Sequence, residues 1–134
     1  MPQVVLNYDS KNTAVPFGPS PHRVVVKPGD AIQFEIGAGT RAAKPGCKLR
    51  ITLHQPQHFS APVVQHSGSQ TGHETLTLNV LPTLTAALAG VADLAHFVIT
   101  AYRCELLDAA SKPIQGLVSD GTDGGEIVPD SSGL

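Results

Sequence analysis

The feature that most constrains how this chain can fold is a strict alternation of apolar and polar residues in several short runs. In KLRITLH, residues 48 to 54, Leu49, Ile51 and Leu53 alternate with Lys48, Arg50, Thr52 and His54. Successive side chains of an extended strand point to opposite faces, so the three apolar ones share a side, whereas a helix would turn Ile51 away from the other two. AIQFEI repeats the pattern with Ile32, Phe34 and Ile36, and ETLTLNVL repeats it with Leu76, Leu78 and Val80. Eleven prolines and thirteen glycines cut the chain into segments of this length, which suits strands joined by turns. QVVLNY, the VVV run before Pro28-Gly29-Asp30, HFVITAYRCELL and, after the turn DAASKP, IQGLV read as further strands. The prolines of VPFGPSPH lack backbone donors and mark an edge or a connection. Residues 84 to 95, LTAALAGVADLA, are rich enough in Ala and Leu to predict a short helix between sheets, weakened by Gly90. The pattern predicts an all-β chain, a Greek-key β-sandwich of about seven to nine strands with one short helical crossover.

At 134 residues the expected organisation is a single domain over 1–134, with SDGTDGGEIVPDSSGL, 119–134, as a Gly/Asp-rich C-terminal tail. An apolar content of 41% against 15% charged residues is far from the composition that keeps chains unfolded. A formal charge of −2 supplies no pull towards nucleic acid or anionic lipid, so neither is expected as a partner. No apolar window has the length of a membrane helix, and MPQVVLNYDS has neither the basic start nor the apolar centre of a secretory signal. A cytoplasmic protein is the expectation, with an exported and already processed chain as the alternative.

Two stretches resemble known sandwich families. TAYRC, Thr100 to Cys104, resembles the immunoglobulin-type Tyr-x-Cys strand. VVVKPGDAIQFEI resembles the Pro-Gly-Asp turn before a core strand in cupredoxins and related Greek-key sandwiches. The first resemblance implies a Tyr102 hydroxyl bonded back to the backbone at a sheet corner. The chain departs from that pattern in having no tryptophan and in placing Cys47 within the loop RAAKPGCK. The second resemblance implies no copper site. A blue-copper centre needs two imidazoles and a thiolate, and no histidine follows Cys104 while the only methionine is Met1. Cys104 is expected to be buried with its strand, and both cysteines to be free thiols.

Four of the six histidines, His54, His58, His66 and His73, fall within LRITLHQPQHFSAPVVQHSGSQTGH. His54 and His58 stand four apart, but Pro56 argues against a helix, and in an extended strand four residues span roughly 13 Å, too far to share one ion. His54 also lies on the outward face with Lys48 and Arg50. The expectation is therefore surface and loop histidines, no metal and no cofactor. Ser60, Ser67 and Ser69 read as turn residues. Asp120, Asp123, Glu126 and Asp130 offer oxygen ligands but lack the spacing of a calcium loop, so they read as an acidic tail. Arg41 and Lys44 in the basic loop are opposite in sign to Asp120 and Asp123, which suggests pairing within a chain or between neighbours.

In HFVITAYRCELL, Phe97, Ile99 and Ala101 share one face while Val98, Tyr102, Cys104 and Leu106 share the other, so the strand's first half needs cover on both sides. Residues 84 to 95 are the preferred cover, and a second subunit the other. The functional expectation is a non-catalytic interaction or assembly module, with Phe97, Ile99, Arg41, Lys44, Asp120 and Asp123 as interaction residues, and a protein partner or self-association into a homo-oligomer. A small-molecule or metal-binding domain using the histidine loops is the alternative, and an enzyme the third.

Overall fold

The computed structural model describes residues 2–8, 17–44, 46–66, 75–120 and 124–130. Two sheets face each other. The smaller runs β2 (Phe17–Ser20), β1 (Gln3–Tyr8), β4 (Ala31–Ile36) and β7 (Leu76–Asn79), in that spatial order. The larger runs β3 (Arg23–Val26), β10 (Gly125–Pro129), β8 (Thr100–Leu107), β5 (Lys48–Leu53) and β6 (Val63–Gln65), and β9 (Pro113–Ser119) also pairs with β8. The protein is thus an all-β sandwich, with ten strands among the described residues rather than seven to nine. The chain passes from β2 to β3 through Pro21 and His22 and so changes sheets. β1 with β4 and β3 with β10 are parallel, and the remaining pairs are antiparallel.

The alternation read from the sequence sets the inner faces. Ile32, Phe34, Ile36 and Leu78 from one sheet meet Leu49, Ile51, Leu106 and Ile127 from the other, all fully buried. Burying each such side chain contributes about 1.5–3 kcal/mol. Tyr102 and Phe34 join the sheets directly, edge to face, with ring centroids 5.4 Å apart. No helix among the described residues is long and apolar enough to cross a membrane.

The helical reading is corrected at both crossovers. The stretch 84 to 95 forms only α2 (Leu84–Ala89), followed by a 3-10 turn at Leu94–His96. A second short helix, α1 (Ala38–Ala43), joins β4 to β5 where a loop was expected. The face of Ile99 needs no neighbour: the strand begins only at Thr100, Ile99 is buried in the chain's own core, and Phe97 packs half-buried against it.

The expected tail is also structural. β9 and β10 lie end to end along one side of β8, Ser119 opposite Cys104 and Gly125 opposite Tyr102. Two of the tail's glycines permit this. A β-carbon at Gly125 would fall on the Tyr102 ring, 1.9 Å from Cζ, and one at Gly124 would come within 2.6 Å of the Tyr102 carbonyl oxygen. The ring occupies the space a side chain at 125 would take, so glycine is required there for close approach and not for looseness.

Gly125→Ala should therefore lower unfolding stability by about 1–3 kcal/mol or more, as overpacking does, in urea denaturation. An unchanged midpoint would mean that the Tyr102 ring does not lie against Gly125.

Candidate functional site

The histidine-rich stretch is dispersed over the sandwich. His54 stands just past β5, and its Nε2 lies 2.7 Å from Asp120 Oδ1, both groups half-exposed on the outer face of the larger sheet. His58 Nδ1 lies 3.1 Å from the Thr83 hydroxyl. The loop carrying His58 also pairs with the outer edge of β7. Ser60 N–H donates to the Asn79 carbonyl, Asn79 N–H donates to Ser60 Oγ, and Leu81 N–H donates to the His58 carbonyl. Ser60 thus keeps the turn role expected of it, while Ser67, Ser69, His73 and Asp123 lie outside the described residues. Among the described residues no three His, Cys, Asp or Glu side chains gather as a metal group.

His66 departs most from the loop reading. It is buried at the end of β6, where its N–H donates to the Leu49 carbonyl while its Nδ1 accepts the Leu49 N–H at 3.0 Å. The ring stands in for a backbone acceptor and ends the β5–β6 ladder. Because Nδ1 accepts, the neutral ring that makes this bond carries its proton on Nε2.

The two cysteine thiols and the Tyr102 hydroxyl are withdrawn from solvent. Cys47 and Cys104 are free and buried, and burial pushes both thiols up, Cys104 far above the ordinary thiol range. Only the thiolate is a nucleophile, so neither is poised to react. The Tyr102 hydroxyl is fully buried and has no hydrogen-bond partner among the described residues, so the tyrosine corner implied by TAYRC does not form. Burial raises its pKa as well, with the neighbouring Cys104 adding to the shift.

Arg41, Lys44 and Asp120, three of the charges expected to bind partners, each have a contact within the chain. Arg41 donates to the Ile36 carbonyl, and the Lys44 ammonium sits 5.3 Å from the centre of the Tyr8 ring. Asp120 meets His54. Lys48, expected to point outward, is buried with its ammonium on the Ala109 carbonyl and the Ser111 hydroxyl. Arg50 grips Glu105 with two bonds of 3.0 and 2.9 Å.

What remains open is an edge. β3 ends the larger sheet, and no described strand lies on its far side. Glu126 N–H donates to the His22 carbonyl and Asp130 N–H to the Val26 carbonyl, so β10 pairs with the even-numbered residues of β3. The peptide groups of Arg23 and Val25 consequently point outward. Val25 is 51% exposed and, with Val63 on β6, one of two exposed large apolar residues among the described residues. On the outer face Val25 stands beside its buried cross-strand partner Val128. Arg23 and Lys27 flank it, their side chains 57% and 66% exposed, and reach Glu126 and Asp130 at 3.0 and 3.6 Å. This edge was missed in the sequence because VVV read as an ordinary strand. The signal was present in Pro21 and Pro28 bracketing it, since proline belongs at edges.

The chain matches no family model, no curated protein and no solved structure.

The His66 contact is testable by substitution. His66→Leu, which leaves the buried Leu49 N–H without its acceptor, should cost about 1–3 kcal/mol of unfolding free energy. His66→Asn, whose Oδ1 falls near the Nδ1 position, should recover most of that loss. Equal losses in the two variants would show that the acceptor is not what the site requires.

Proposed function

We propose that the domain is a non-catalytic interaction module which takes up an extended segment of a partner protein by adding it as a strand to the β3 edge. The observation that carries this reading is Val25, an apolar side chain left half in water on a strand whose outward peptide groups have no neighbouring strand among the described residues. Strand addition uses such an edge: main-chain bonds supply affinity, and alternate side chains supply specificity. The burial of both cysteines also favours binding over thiol chemistry. A second copy of the chain fits the same mode through an edge such as β6, where Val63 is exposed, and not through its own β3, because two β3 edges would bring Arg23 and Lys27 against their own kind. We read the sandwich as closer to the cupredoxin-like than to the immunoglobulin-like kind. Immunoglobulin sheets are antiparallel, and two parallel pairs here break that rule.

Selection of displayed random peptides, with the chain's own β6 segment included, on the immobilised domain tests the reading. Binders should be rich in β-branched and aromatic residues. They should lose affinity for Val25→Pro, which deletes an outward donor at an edge that tolerates proline, while its melting temperature stays near wild type. Binders indifferent to Val25→Pro, or no binders at all, would overturn it.

A further inference from the structure

Resting on the strand-addition reading, we infer that the β3 edge selects a partner strand with an acidic, an apolar and a second acidic residue at alternate positions. Arg23, Val25 and Lys27 are spaced two apart, so their side chains leave one face of the sheet, and all three are exposed by about half or more. A strand laid beside them presents its own alternate side chains on that face at matching intervals, in either direction. The central position meets Val25 and extends the apolar pair it forms with Val128. The outer positions meet a guanidinium and an ammonium.

Those cations are already approached from the other side by Glu126 and Asp130, whose side chains are only 28% and 22% exposed. Arg23 and Lys27 are thus the more exposed members of these two pairs, and Glu126 and Asp130 hold them in place, while the Asp30 carboxylate caps the Lys27 N–H at the end of the edge. Arg23 gives Glu126 one hydrogen bond, through Nη2, which leaves further guanidinium N–H groups for an incoming carboxylate. Pro21 and Pro28 limit the interaction to this short register. The cations also make a basic or self-complementary β3 strand a poor occupant.

Fluorescence anisotropy with three short labelled peptides tests the inference: Thr-Glu-Thr-Val-Thr-Glu-Thr, the same peptide with both Glu replaced by Lys, and the acidic peptide with Val replaced by Ser. At low ionic strength the acidic valine peptide should bind about ten-fold or more tighter than the lysine peptide, as two exposed ion pairs would give. The gap should shrink as salt shortens the screening length from about 10 Å at 0.1 M to about 3 Å at 1 M. It should close in the doubly substituted Arg23→Gln, Lys27→Gln protein, which removes charge without placing acid beside acid. The serine peptide should bind more weakly than the valine peptide. If acidic and lysine peptides bind alike and both are lost in Val25→Pro, the charge selection is wrong while strand addition stands. If no peptide binds, both fall. A preference for acid that survives the double substitution would place the selecting charges elsewhere and would also refute the inference.

Discussion

The contact on which the arrangement turns is the Tyr102 ring lying across Gly125. Tyr102 reaches from the centre of the larger sheet to Phe34 in the smaller one, so it holds the two layers together. It can do so only because the facing residue of β10 has no side chain. That absence brings β10 into register with β8, Gly125 opposite Tyr102, and β10 in turn is the only described strand that carries β3. The exposed edge is therefore built outward from a buried aromatic contact, by way of a glycine pair that composition alone would assign to a loose tail. The buried hydroxyl carries no bond among the described residues, which is consistent with a tyrosine kept there for the size of its ring.

Open strand edges invite pairing with other chains, and this fold restricts them by different means. β7 is covered by residues 58 to 60 of its own chain. β2 contains Pro19, which cannot donate. β6 is three residues long, preceded by Pro62 and ended by the His66 ring. β3 is left with Arg23 and Val25 outward, between two prolines and two cations. An edge so short and so charged resists indiscriminate aggregation while leaving a defined place for one complementary strand.

The strands with clean alternation, β4, β5 and β7, were legible in the sequence because the apolar side chains of each are buried on one face, and such a strand writes its burial into its residue order. The readings that failed depended on contacts between distant residues. Nothing local marks His66 as a buried acceptor, since its partner Leu49 lies on another strand. For Ile99 the residue order left cover by the chain itself and cover by a second subunit both open, and the fold buries it in the chain's own core. The β3 edge lay between: its prolines were visible, whereas its place at the end of the sheet depended on β10, which glycine and aspartate disguised.

Amide hydrogen exchange of the dilute, unliganded protein tests most directly whether β3 is an open edge. The amides of Glu126 and Asp130, which donate into β3, should exchange slowly, while the amide of Val25, one strand further out, should exchange at close to the rate of an unprotected peptide. Protection of Val25 equal to that of Glu126 in the monomer would mean that its peptide group is already paired, and would contradict the account of β3 as the place where a partner strand is added.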